Sequence, residues 1–160
     1  MGNRPDGPRG VDGGWTPPPR IRPKVVGIFR RGGDVLLGEA YDAVKGDTFW
    51  GPPGGGIEFG ERATEALRRE MREELDAAIA VDDDAPLAVF ENVFTYAGHP
   101  GHEITFVFAA RFTDASLYDR DAIDGVENGR PYRVAWTPLS RFAPGGPPLY
   151  PTGLYDLLAR

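Results

Sequence analysis

The sequence predicts an α/β fold in which a mixed, curved β-sheet is sandwiched between helices, an α/β/α arrangement. Three observations predict it. Short segments rich in β-branched and aromatic residues recur along the chain, as strands require. One stretch without glycine or proline, from Arg62 to about Leu75, carries apolar residues at helical spacing. A second helical segment closes the chain. Strands mixed with two principal helices bury their apolar faces best as layers.

The elements follow in order. Met1 to Arg20 is rich in Gly, Pro and Arg and poor in apolar side chains, which predicts a flexible tail over residues 1–20 and a single domain over 21–160. Lys24 to Phe29 and Val35 to Ala40 read as strands joined by Arg31-Gly32-Gly33-Asp34, a hairpin turn with glycines free to take positive φ. Phe49-Trp50 leads into Gly51-Pro52-Pro53-Gly54-Gly55-Gly56. Consecutive glycines are poor strand or helix interiors, so a loop open to a ligand is expected there. The helix from Arg62 has an apolar side made of Ala63, Ala66, Leu67 and Met71. Leu87 to Tyr96 and Glu103 to Phe112 read as strands, with Ala97 to Gly101 as their hairpin loop. Tyr132 to Trp136 is a further strand, and Pro151 opens a closing helix through Leu158.

Composition narrows the chemistry. The chain has 160 residues, 24 acidic against 18 basic, and a formal charge of -6. No basic stripe suits a nucleic-acid polymer. A phosphorylated small molecule is still accommodated when a divalent cation reverses the local sign. Cysteine is absent and only His99 and His102 are present, which excludes thiolate catalysis, disulfides and a three-histidine zinc site. No apolar stretch approaches the roughly 20 residues of a membrane helix, and the N-terminus lacks a signal peptide's apolar core. No membrane partner and a cytoplasmic location are therefore expected.

The informative stretch is Arg69-Glu70-Met71-Arg72-Glu73-Glu74. On a helix Glu70, Glu73 and Glu74 fall at i, i+3 and i+4 and share a face, where like charges repel. A solvated face with arginine salt bridges is the ordinary explanation of such a pattern. The glycine run just before the helix favours another: backbone carbonyls beside carboxylates form the hard oxygen set that magnesium or manganese takes. That set suits metal-assisted attack of water on a diphosphate.

Gly55, five residues, Glu61, seven residues, then Arg69 to Glu74 closely resembles the Nudix box, which covers Gly55 to Ala77. The flanking strands, Trp136-Thr137-Pro138-Leu139 and the closing helix extend the resemblance from about Arg22 to the C-terminus. One position departs: Asp76 stands where the family has Gly, a residue suited to a left-handed helix cap.

The resemblance implies a Nudix fold and a pyrophosphohydrolase that cleaves a nucleoside diphosphate linked to another moiety. Its cofactor would be Mg2+, with Mn2+ as a substitute. The carbonyl of Gly54 or Gly55 with Glu70, Glu73 and Glu74 would hold the metal, and one of the three glutamates would activate water. Arg69 would pair with Glu61 and fix the loop on the helix. Many Nudix enzymes add a carboxylate from outside the box. Glu127, in the turn-rich stretch Asp124 to Gly129, is the first choice and Glu103 the second. Glu58, His102, Phe49 and Trp50 have weaker claims, with solvent exposure or core packing as their ordinary roles. The partner expected is a small nucleoside diphosphate derivative. A homodimer is compatible with the sequence, which leaves assembly open. A nucleotide- or metabolite-binding regulator without turnover and a calcium-stabilised structural domain are the rival readings. Neither Val93 nor Tyr96 marks a substrate subclass, so the base remains unread.

Overall fold

Strands with both faces buried need helices on both sides, and the chain provides them. The computed structural model describes residues 15–160. Its elements are β1 (Ile21–Ile28), β2 (Arg30–Arg31), β3 (Asp34–Asp42), β4 (Asp47–Gly51), β5 (Gly54–Gly56), α1 (Ala63–Leu75), β6 (Ile79–Val81), β7 (Ala88–Tyr96), β8 (His99–Phe112), β9 (Ala122–Glu127), β10 (Arg130–Pro138) and α2 (Leu154–Leu158). Short 3-10 turns lie at Ala115–Asp119 and Leu139–Phe142.

The strands form two five-stranded sheets. The first runs β5–β1–β8–β6 with β7 also paired to β8; the second runs β2–β3–β10–β9 with β4 also paired to β3. Among pairs of the strands named above, only β1 and β8 run parallel, Ile21 opposite His102 through Ile28 opposite Ala109. The sheets meet where the Leu36 N–H donates to the Phe29 carbonyl at 3.1 Å.

Alternation sorts the side chains into two cores. Val25, Phe29 and Leu36 join Leu67, Met71 and Leu75 of α1, together with Val134 and Trp136. Their neighbours Val26, Ile28, Val35 and Leu37 join Leu154 and Leu158 of α2 instead. The expected α/β/α layering results. Within the first core the Phe29 and Phe112 rings stack at 4.2 Å.

Several local expectations need correction. The three glycines are not a loop: Gly54, Gly55 and Gly56 form β5, opposite Val26, Val25 and Lys24. A Cβ on Gly54 would stand 1.9 Å from the Val25 carbonyl oxygen, so the strand closes against β1 only because it lacks side chains. The hairpin after Tyr96 is a two-residue turn rather than five, with Ala97 and Gly98 both at positive φ, the conformation tight hairpins favour. Glu127 does not sit in a loop; it ends β9 before a similar turn at Asn128-Gly129. Two strands lie beyond those read from the sequence: β4, which pairs with β3, and β6, which pairs with β8.

Residues 1–14 of the expected tail lie outside the described residues. Within residues 15–20 the chain is already packed. Thr16, Pro17 and Pro18 are buried, and the Trp15 ring lies 5.9 Å from Tyr96 and under the Arg22 guanidinium at 5.5 Å. No helix among the described residues is long and apolar enough to cross a membrane.

Candidate active site

The acidic residues of α1 divide between two surroundings. The buried stripe of the helix contains Leu67, Met71 and Leu75, and the same stripe carries Glu70 and Glu74, 4% and 8% exposed. A solvated acidic face would look different, because carboxylates are rarely buried without partners. Glu73 lies at the margin with a side chain 39% exposed.

Arg69 organises the approach to this pair. Its Nε and Nη2 donate to Glu61 Oε2 and Oε1 at 3.1 and 2.6 Å, a two-pronged bond that fixes plane and direction. Nη2 also donates to the Gly56 carbonyl at 2.9 Å, and Nη1 to Glu70 Oε1 at 2.9 Å and Glu73 Oε2 at 3.3 Å. Glu61 in turn accepts from the Glu58 backbone N–H at 2.9 Å. One guanidinium thus ties β5, the segment before the helix and two helix acids together. The Arg69 hydrogen bonds hold the Glu61 carboxyl below the usual range, while the Glu61 bond raises the guanidinium's own pKa.

The Glu70 carboxylate lies against Gly55, where an added Cβ would stand 2.3 Å from Glu70 Cδ. Burial raises the Glu70 pKa, although Arg69 opposes the shift. Glu74 is displaced further, to about 10, by burial first and then by the charges of Glu127 and Glu70. Oε2 of Glu74 is buried with no hydrogen-bond partner. Lys24 partly offsets the negative charge on Glu74 and on Glu127.

The opposite wall comes from the second sheet. Gly125 of β9 approaches the end of α1 so closely that a Cβ there would sit 1.9 Å from the Glu74 carbonyl oxygen. That contact positions Glu127, two residues on and on the same strand face, near the acid pair. Glu127 keeps solvent-exposed surface, so the upward push on its carboxyl by surrounding protein is tempered by water, and Lys24 and Arg22 oppose it. Tyr132, opposite Gly125 on β10, completes this wall.

The remaining candidates lie apart from the acid pair. Glu103 is buried in an ion pair with Arg22 at 3.2 Å. His102 meets Glu91 at 3.1 Å. Glu58 is largely exposed, 3.9 Å from Arg69. Trp50 is core, with Arg141 stacked on it at 4.5 Å. Phe49 packs edge-on against Tyr96 and Tyr150. Sequence reasoning missed Lys24, Gly125 and Tyr132. A lone lysine entering an apolar strand was the one available signal for the first; the other two depend on register across strands.

Among the described residues no three His, Asp or Glu groups converge closely enough to ligate a metal as they stand. The donor set nevertheless fits a hard divalent cation. It offers two buried carboxylates, one with an orphaned oxygen, beside glycine backbone that leaves the approach open.

Comparison with known proteins agrees with this architecture. The NUDIX domain model matches residues 19–152. The nucleoside triphosphatase NudI of Salmonella arizonae is 43% identical over 61 residues, 37% of this chain and 43% of that protein. The match therefore spans less than half the length of that relative. A MutT NUDIX hydrolase structure from Burkholderia pseudomallei superposes with a TM-score of 0.60 at 25% identity, covering 85% of this chain and 95% of that one. The MutT protein of Methanosarcina mazei Go1 also reaches 0.60, at 20% identity, over 88% and 91% of the two chains, and so shares the fold. With a family match over most of its length, and Glu70 and Glu74 on one buried helix stripe, the chain belongs to the Nudix family.

Proposed function

We propose that this protein hydrolyses phosphoanhydrides, adding water across the P–O–P bridge of a nucleoside diphosphate linked to a second moiety. The buried pair of Glu70 and Glu74, with Oε2 of Glu74 unpartnered, is the observation that carries the reading. A stable domain has little use for two neighbouring buried acids unless a cation offsets their charge. Magnesium suits the place because it takes few protein ligands and completes its shell with water and phosphate oxygens; manganese has the same ligand preferences. Glu70, Glu74 and the Gly54 or Gly55 carbonyl would hold it, with Glu73 supplying a further carboxylate from the margin. A bound cation would neutralise phosphate charge and lower the barrier to attack by water.

The chain's own groups do the rest. Arg69 and Glu61 keep β5 and α1 in register, so the carboxylates face a fixed glycine backbone. One of Glu70, Glu73, Glu74 and Glu127 accepts the proton of the attacking water. Glu127 is well suited, since it stands on the opposite wall and is not occupied by Arg69. Lys24 attracts the anionic substrate to an otherwise acidic cleft. The triphosphatase name carried by the Salmonella relative supports nucleoside phosphates as the substrate class. The test is release of nucleotide or phosphate from nucleoside diphosphates, triphosphates, sugar nucleotides and ADP-ribose, with and without magnesium. Binding without turnover across the whole panel would favour a regulatory role instead.

A further inference from the structure

Tyr132 lies where β3 and β10 part. Up to Gly38 the two strands are paired, with Val134 opposite Gly38. From Gly38 onward β3 pairs with β4, Gly38 opposite Gly51, while β10 continues beside β9. The Tyr132 ring leans into the gap across Gly38, where a Cβ would stand 2.5 Å from the phenol oxygen and 2.7 Å from Cε2. Its partner on the other side is Gly125, itself pressed against the end of α1. Gly38 makes room for the ring, while Gly125 makes room for the end of α1.

Alternation along β10 puts Tyr132 on the face of Val134 and Trp136, the α1 side. Gly125 and Glu127 share that side with Ile123. The hydroxyl thus belongs to the wall that carries Glu127 and faces Glu74. Tyr132 also lines a half-open cavity of about 370 Å³ with Glu39, Trp50 and Arg141, whose Leu37 and Trp50 belong to the α2-side core. No described residue makes a hydrogen bond to the hydroxyl. Tyr132 is half-buried and its hydroxyl stays open to a ligand, while packing over Gly38 alone would be served as well by phenylalanine. Burial and the neighbouring charges of Glu127 and Glu74 keep it a neutral phenol, hence a donor.

We propose that Tyr132 is a substrate-contacting residue whose hydroxyl donates a hydrogen bond to an oxygen of the bound diphosphate. Its place on the β9–β10 wall, on the face of Glu127, puts the ligand within its reach. The assignment rests on the hydrolytic reading for the identity of the ligand, and a binding measurement separates the two.

Tyr132→Phe keeps the ring and removes only the donor. Its kcat/KM on the best substrate of the wild-type enzyme should fall roughly 10²-fold, the scale of losing one aimed donor. Its affinity for α,β-methylene analogues of ADP, GDP, CDP and UDP in magnesium should weaken about tenfold, in line with one hydrogen bond to a charged group. Its melting temperature should match the wild type. Unchanged kcat/KM and unchanged analogue affinity would overturn the proposal, and so would a fall in both that merely tracked a lowered melting temperature. If the wild type binds an analogue in a hydroxyl-dependent way yet hydrolyses nothing, the contact stands and the hydrolytic reading falls. If it neither binds nor hydrolyses any member of the panels, both fall.

Discussion

The Glu74 carboxyl, pushed up to about 10 by burial and by the charges of Glu127 and Glu70, binds its proton more tightly in the folded chain than in the unfolded one. That contribution to stability is complete below the ordinary carboxylate pKa and is lost as pH rises toward about 10. In EDTA the melting temperature should therefore decline between about pH 5 and about pH 9, and magnesium should flatten the decline. Glu74→Gln has no proton to lose, so calorimetry in EDTA at alkaline pH should find it more stable than the wild type. Its kcat should still fall by roughly 10²-fold, as should that of Glu73→Gln. A Glu74→Gln protein with normal turnover would remove this residue from the site. Glu127 and Glu103 separate in the same pair of measurements. Glu127→Ala should lower kcat with little change in melting temperature. Glu103→Ala removes the buried ion pair with Arg22, so the main loss there should be stability, read as a lower melting temperature with kcat nearly unchanged.

At the level of elements, α1 ends on Asp76 at φ 50° and ψ 41°, the left-handed conformation. The Ala77 N–H closes the turn by donating to the Met71 carbonyl at 3.2 Å. The family's usual glycine adopts this conformation without strain, whereas a non-glycine residue gives up roughly 1–2 kcal/mol. Asp76→Gly should raise the melting temperature by a few degrees, about 2–4 °C per kcal/mol for a domain of this size, and leave kcat alone. A lower melting temperature would show that Asp76 contributes something its backbone conformation does not reveal. The helix and its acids were legible because spacing on a helix is local. The glycine strand was misread because intrinsic preference argues against Gly54 to Gly56 in a sheet, while the close approach of Glu70 to Gly55 and of Val25 to Gly54 requires residues without side chains. Gly55→Ala should accordingly lower both stability and activity, since its Cβ would fall within 2.3 Å of Glu70 Cδ. Circular-dichroism melting and turnover on one preparation would check this. A fully active, equally stable Gly55→Ala protein would contradict the close packing.

For the molecule as a whole, the α/β/α layering followed from apolar strands and two helices, but the placement of the second wall did not. Glu127 could be suspected from its neighbourhood, yet its position depends on Gly125 docking against Glu74 and on the register of β9 with β10. Such contacts join residues far apart in the chain, and no local pattern encodes them. The tie between Asp42 and the distant hairpin was equally hidden: its carboxylate accepts from the N–H groups of Val44 and Lys45, and also from Ala97 at 3.1 Å. Burial likewise decided the acidic helix, since a pattern of charges cannot say whether it faces water or a cleft. On the proposed reading, the buried acids of α1 serve a cation-dependent cleavage of phosphoanhydrides. The most direct measurement is product release by the purified full chain over the nucleotide panel, after EDTA treatment and again after magnesium is restored. Release should be undetectable in EDTA and should recover with magnesium on at least one nucleoside diphosphate derivative. Undiminished release after thorough metal removal, or none from any substrate with magnesium present, would contradict that reading.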